Sequence, residues 1–574
     1  MTFKEISNDQ DSDSNSFEER ADQLSTKELR EETIVEDVFN TVKKELISRG
    51  LILLEGPRGC GKTHMMRYVD LACTEDATKP MAVYVSFNRY LRLEPLLGIR
   101  SDALNLFQAW ALALLVKATT EKAKILLKNS DYDSKELVGI SMDEINSLIS
   151  KLEHGKEPSK TEEKIAELLN VDKVLGYIRD ICGASGRKRT VLLLDDAALT
   201  LSKDLLIEFF DLLRVLKAHD ISPKASVYPG TTEYGPRFHV DHEGKRVEAW
   251  LSLSHPKYLD VMKNIAHARY QHATTPIPED IDKVLMYAAF GIPRAYLTLL
   301  REWIETKDRH GQSALNQIIR SHREARLAEF RSLSTKLPTL ATLVRTGEVI
   351  FNAIISELVK QNRELIQKQE KQLLIGIPTT DLNSMTQRML SLLVEVGLIR
   401  QESEVSHGPE RSYIRLMPHI GALIANRAFE AGRGGSARKI INALSFPDTK
   451  HPVRRSLNNL VGEKTILGLH LDEPPCQKCG TLRLSLSQKF CHSCGTKLLN
   501  ESTFEHCMKI SLDEVPGLSA FKRTSLKGVG LDTIGQFLAM TDPGSTIRRS
   551  PGIGEVRAGQ VISTIENYVD EFLS

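Results

Sequence analysis

The chain has 574 residues, 41% hydrophobic and 26% charged, with a formal net charge of +1, the composition of ordinary folded protein with length for roughly four domains. That charge says nothing about partners until it is resolved by region. No run of 18 apolar residues occurs and the opening MTFKEISNDQDSDSNSFEER has no signal-like apolar stretch, so a cytoplasmic protein with no membrane partner is expected, nucleoid-associated if it binds DNA.

Residues 1–28 are rich in Ser, Asp and Glu and are expected to form a disordered acidic tail, because they bury too little apolar surface to offset chain entropy. From Glu28 onward, helical patterns alternate with apolar runs: LILLEG, MAVYVSF at 81–87, RTVLLLDD at 189–196 and ASVYPGTT at 225–232. That alternation predicts a parallel α/β sheet.

After the first run, Gly56, Pro57, Arg58, Gly59, Cys60, Gly61, Lys62, Thr63 and His64 satisfy G-x-x-x-x-G-K-[ST] between a buried strand and a helix-forming segment. Glycines there let backbone N–H groups close around phosphate oxygens, and the following helix points its positive dipole end at them. Lys62 is expected to reach the β- and γ-phosphates of ATP, and the Thr63 hydroxyl to bind Mg²⁺. Cys60 reads as a small side chain that fits the loop. In VLLLDDAAL, four apolar residues lead to Asp195, placed to hold Mg²⁺, and Asp196, placed to orient the attacking water.

The order of GPRGCGKT, VLLLDDAAL, SVYPGTTEYG and AAFGIPRAYLTLL resembles AAA+ ATPases and, within them, the ORC-type origin-recognition initiators and their bacterial relatives. The resemblance implies an ATP-hydrolysing core over residues 29–254 and a helical lid over 255–335. It implies that Thr231 or Thr232 is the polar sensor of the γ-phosphate, with Thr232 preferred, and that Arg294 is the second sensor. Such ATPases usually carry Glu where this chain has Asp196, one methylene shorter, so slow hydrolysis and a switch-like role are expected. They also self-associate through the core, a neighbour's arginine completing each site; Arg237 and Arg246 lie in the expected interval.

Residues 336–429 outline a winged helix-turn-helix. A helix with Leu382, Met385 and Met389 inward and Asn383, Thr386, Gln387 and Arg388 outward precedes two strands around SHGPE. The ORC-type resemblance places such a domain directly after the lid. The outward face would suit a major groove, although winged helices also serve as packing or protein-contact modules. Residues 430–472 read as a basic linker with Arg433, Arg438, Lys439, Lys450, Arg454 and Arg455 against Asp448. Such a stretch neutralises phosphates without reading sequence.

At 473–500 the pairs Cys476/Cys479 and Cys491/Cys494 are each followed by glycine. Two C-x-x-C turns present four thiolates tetrahedrally, a structural Zn²⁺ ribbon with no open coordination position; iron–sulfur ligation is the other chemistry open to four thiolates. Finally, residues 508–574 resemble a tandem helix-hairpin-helix and the C-terminal domain of the RNA polymerase α-subunit. Helices flank KGVGL and SPGIGEV, and Gly528, Gly530, Gly552 and Gly554 would free backbone N–H groups for phosphate. The whole reads as a multidomain protein: α/β P-loop AAA+ core, α-helical lid, winged helix, zinc ribbon and all-α end. DNA is the expected partner. The alternative is a signalling or anti-phage defence NTPase whose C-terminal modules bind a protein.

Overall fold

The computed structural model describes residues 24–34, 37–88, 93–129, 132–154, 156–196, 203–269, 277–306, 311–406, 408, 411–430, 436–450, 452–476, 478–484, 488, 490–496, 498, 503–540 and 542–573. Most of the expected acidic tail lies outside these residues. Its end differs from expectation: Ser25 and Glu28 form a reciprocal capping box that starts the helix Thr26–Glu31. Leu24 and Leu29 are buried, and the Arg67 side chain donates to the Leu24 carbonyl at 3.0 Å.

Five strands, β1 (Leu51–Glu55), β2 (Met81–Ser86), β3 (Thr190–Asp195), β4 (Ile221–Val227) and β5 (Gly244–Glu248), form one sheet in the order β2-β3-β4-β1-β5. Every neighbouring pair is parallel. The central strands are almost wholly buried, β1 and β3 through apolar runs, because helices cover both faces. β4 starts four residues before the run expected at 225, hidden in the sequence by Pro223 and Lys224. Lys224 is buried because its ammonium donates to the Ser48 and Gly50 carbonyls at 2.8 and 2.7 Å. Tyr228 to Thr232 turn away from the sheet, the Thr232 amide donating to the Tyr228 carbonyl at 3.3 Å. The edge strand β5, GKRVE, is too charged to have been read as a strand.

Between β2 and β3 lies a helical insertion built on Ala103–Leu127. This helix is long and apolar enough by composition to span a bilayer, but 67% of its apolar window is buried within the protein, Trp110, Leu115 and Val116 included.

Beyond the sheet, the helices Tyr258–Arg269, Glu279–Ala288, Pro293–Glu305, Gln312–Lys336 and Ala341–Leu365 share one apolar core with four further strands. These are β6 (Ile375–Pro378), β7 (Ile399–Ser406), β8 (Ser412–Pro418) and β9 (Val453–Arg454), ordered β7-β8-β6-β9, with the helix Ser384–Glu395 preceding the β7–β8 hairpin. The expected basic linker is corrected here. Ile440, Ala443 and Leu444 recur at helical spacing on Ala437–Ser445 and are buried in that core, as is Leu457. Two of its cations are engaged too: the Arg454 guanidinium sits 4.8 Å from the Tyr413 ring centre, and Arg455 pairs with Glu357.

The chain ends in the helices Thr503–Lys509, Ala520–Gly528, Ile534–Leu538, Pro543–Ile547 and Glu555–Leu573, which bury Leu526, Ile534, Phe537, Ile547, Val561 and Ile565.

Candidate functional site

The loop after β1 stands at the C-terminal edge of the sheet, where strand ends and helix N-termini converge. Gly59 and Gly61 adopt φ of 82° and 95°, the left-handed region that favours glycine. A Cβ on Gly59 would fall 3.0 Å from the Arg294 Cβ. The backbone amide of Arg294 donates to the Gly59 carbonyl at 3.3 Å, so the first turn of Pro293–Glu305 is seated on the loop with the exposed Arg294 beside it. Cys60 is buried under the loop, its Sγ 2.7 Å from where a Gly56 Cβ would stand, and burial raises its pKa. It packs, as its size suggested.

Lys62 is buried, with Nζ donating to the Gly56 and Pro57 carbonyls at 2.7 and 3.3 Å. Nζ also lies 3.9 Å from the Tyr228 ring centre. Burial pulls its pKa down, while the acidic groups of Cys60, Asp195, Asp196 and Glu395 oppose that shift. Thr63 is half-buried at the start of the helix Lys62–Glu75. The ring of His64 contacts the Thr33 hydroxyl at 2.7 Å, and burial, then Arg269 and Arg67, lower its pKa to about 3. A neutral His64 therefore ties the loop helix to the N-terminal segment.

Asp195 ends β3, buried, with Oδ2 accepting from the Tyr84 hydroxyl at 3.0 Å. Its Oδ1 is buried without a partner among the described residues. A buried carboxylate oxygen left open in this way suits a divalent cation. Asp196 has a φ of 53°, and its amide donates to the Ser226 hydroxyl of β4 at 2.9 Å. Beyond β4, the Thr232 hydroxyl accepts from the Tyr228 amide at 3.1 Å and so folds back on its own turn. Thr231 instead meets Glu395, whose carboxylate accepts from the Thr231 amide at 2.8 Å, the Thr231 hydroxyl at 3.0 Å and the Gly230 amide at 3.0 Å. Of the two arginines expected in reach of a neighbour, Arg246 lies 3.6 Å from Glu55 and Arg237 lies 3.4 Å from Asp211.

A glycine-rich loop after the first strand of a parallel five-stranded sheet, with an acidic strand end across β4 from it, is the architecture of an α/β P-loop core. Residues 14–220 match the family model ORC-CDC6-like. Among solved structures, a Walker-type ATPase of Pyrococcus abyssi is 14% identical with a TM-score of 0.37, covering 68% of this chain and 95% of its own. The Aeropyrum pernix ORC1 protein in complex with DNA is 14% identical at a TM-score of 0.27, covering 71% and 91%. The ORC2 protein of the same organism, in ADPNP–ADP complexes, is 14% identical at 0.26, covering 75% and 98%. No curated protein matches.

The four cysteines converge: all four Sγ atoms of Cys476, Cys479, Cys491 and Cys494 lie within 4.8 Å of one another. The two turns repeat one geometry. Gly480 and Gly495 adopt φ of 70° and 67° and return hydrogen bonds to the Cys476 and Cys491 carbonyls at 2.8 and 2.9 Å. His492 is exposed outside the cluster.

The expected DNA-facing residues are less free than their sequence implied. Asn383 caps its helix, accepting from the Met385 and Thr386 amides at 2.9 and 3.0 Å. Thr386 is buried, correcting its outward placement, because its hydroxyl completes that cap by accepting from the Asn383 amide at 2.8 Å. Arg388 pairs with Glu233 at 2.9 Å, and Gln387 is exposed. In the C-terminal helices, Gly530 and Gly552 carry the left-handed φ, 79° and 84°. Gly528 closes a helix, and Gly554, without left-handed φ, stands immediately before the helix Glu555–Leu573. Arg548 and Arg549 are exposed, Lys527 pairs with Asp513, and Arg557 donates to the Gly552 carbonyl at 2.8 Å.

Sequence reading missed Tyr84, Ser226, Tyr228 and Glu395 as site residues. Only Glu395 left a signal, a lone carboxylate in the apolar run MLSLLVEVGLI.

Proposed function

We propose that this protein is an ATP-binding switch of the AAA+ class that hydrolyses ATP slowly and engages DNA under nucleotide control. The observation that carries the reading is one convergence: the phosphate loop, the open Asp195 Oδ1 and the lid helix bearing Arg294 meet at one edge of the sheet. In this reading Lys62 exchanges the Gly56 and Pro57 carbonyls for phosphate oxygens, and Thr63 with Asp195 would hold Mg²⁺. The cation, when bound, neutralises charge on the β- and γ-phosphates. Asp196 orients water, the Gly230–Thr232 turn meets the γ-phosphate, and Arg294 senses it from the lid. Self-association through the core belongs to the same reading. Arg237, its side chain 72% exposed, is freer to reach a neighbour than Arg246, at 52%.

The four thiolates would hold one structural Zn²⁺, and the winged-helix hairpin and the two glycine turns at 530 and 552 would meet DNA phosphates, in a cytoplasmic, nucleoid-associated setting. Exposed Arg548 and Arg549 supply charge beside the second turn. A second reading, protein capture in signalling or phage defence, draws on Phe521 and Val556, which are 50% and 76% exposed near Gly552.

Lys62→Ala and Asp195→Ala should each abolish Mg-ATP turnover, and full turnover in both would remove the nucleotide site from this place. Elemental analysis should find one zinc per chain, lost in Cys479→Ser. DNA affinity that falls steeply with salt supports the first reading, because counterions are released from each neutralised phosphate; salt-insensitive or absent binding favours the second.

A further inference from the structure

The helix Ser384–Glu395 and the turn after it wedge into the nucleotide site. Its last residue, Glu395, is buried and accepts three hydrogen bonds from Gly230 and Thr231, while its backbone carbonyl accepts from the Arg58 amide of the phosphate loop at 3.3 Å. Contact is close throughout: a Cβ on Gly230 would fall 2.7 Å from the Leu392 Cα, and one on Gly397 2.6 Å from the Ile292 Cδ1 of the lid. One helix end therefore touches the loop, the turn after β4 and the lid together.

A carboxylate is an unusual choice for that position. It stands at a helix C-terminus, where the dipole disfavours negative charge, and beside a pocket that must admit phosphate. Its charge is felt at Lys62, and burial raises its own pKa against the opposing pull of Arg58. Two anions cannot share the same N–H and O–H donors without strong repulsion in a dry site.

We propose that Glu395 is an anionic latch: its carboxylate holds the Gly230–Thr231 donors until a γ-phosphate displaces it, so that ATP, and not ADP, releases the helix 384–395 and its hairpin from the phosphate loop. The inference rests on the reading of this turn as the γ-phosphate contact. It makes the β6–β9 unit the moving part of the switch and Glu395 a positioning residue that acts through Thr231.

The test uses the full chain with a non-hydrolysable ATP analogue or ADP, Mg²⁺ present, and two readouts: nucleotide affinity, and hydrogen–deuterium exchange over residues 228–233 and 390–400. In the wild type both segments should exchange faster with the analogue than with ADP. Glu395→Gln keeps the size and the acceptor but removes the charge. It should bind the analogue about tenfold more tightly, the order expected for deleting one like charge several ångströms away, change ADP affinity much less, and remove most of the exchange difference. Equal exchange with both nucleotides in the wild type, or equal changes in both affinities in Glu395→Gln, would make Glu395 a static strut and overturn the latch. Failure of the wild type to bind the analogue better than Lys62→Ala would instead remove the nucleotide reading, and the latch with it.

Discussion

The Lys62 ammonium lies 3.9 Å from the centre of the Tyr228 ring while donating to the carbonyls of Gly56 and Pro57. The charge that the proposed site would turn toward phosphate is thus folded onto its own loop and covered by an aromatic face from the strand-end turn. A desolvated cation–π contact contributes about 2 kcal/mol, and the ring also fixes where Nζ can go. If the ring stays over Nζ when the two carbonyls are exchanged for phosphate oxygens, Tyr228→Leu should weaken ATP binding by roughly tenfold or more, whereas Tyr228→Phe, which keeps the ring, should bind normally. Titration with a fluorescent ATP analogue distinguishes the two; equal weakening in both would point to the hydroxyl.

Asp196 combines a left-handed backbone with a catalytic assignment, and the two can be separated. Asn tolerates this φ nearly as well as Asp, so Asp196→Asn should fold with an unchanged melting temperature yet forfeit most ATP turnover. Asp196→Val should cost about 1–3 kcal/mol of stability as well, since a β-branched residue at positive φ is strained. Calorimetry beside a phosphate-release assay checks both; an active Asp196→Asn would assign the water to another group.

In the C-terminal helices the backbone makes sharper demands than glycine content alone. Gly530→Val and Gly552→Val should disturb the turns and weaken DNA binding, because both positions require left-handed φ. Gly554→Val, at ordinary φ and with nothing within 4 Å of its added Cβ, should be tolerated. Arg548→Ala with Arg549→Ala should weaken binding alike across sequences and lower the salt slope by about one for each phosphate that is no longer neutralised. Electrophoretic shifts at several salt concentrations read all three.

His322 and His419 face each other with ring centres 5.5 Å apart, both buried, each with Nε2 unpartnered among the described residues. Burial, then Arg326, lowers the pKa of His419 to about 3; His322 is pushed well below its usual value by burial, Arg326 and His419. Both are neutral in the fold but bind protons when the unfolded chain falls below pH 6.5. Their contribution is complete above that value and is lost as pH falls toward the folded pKa, at about 1.4 kcal/mol per pH unit for each ring. The urea midpoint should drop between pH 6.5 and 5, and His322→Leu should flatten that drop. An unchanged pH dependence would place the acid sensitivity elsewhere.

The features legible in the amino-acid order alone lie in short segments. The phosphate loop places Gly56, Gly61, Lys62 and Thr63 within eight residues, and each C-x-x-C-G knuckle closes on its own next turn, so spacing alone carries the geometry. The strands β1, β2 and β3 were legible because burial on both faces leaves an unbroken apolar run. Tertiary packing set the rest. β4 was blurred by Pro223 and Lys224, whose surroundings and not their residue types make them strand. The packed helix inside the expected linker became visible only where Ile440 and Leu444 found a core to enter. Glu395 meets Thr231 across 164 residues of chain. No local period encodes such a meeting, since it follows from how the helix-and-hairpin unit docks on the sheet edge, where burial and hydrogen bonding act between elements that the chain order keeps far apart.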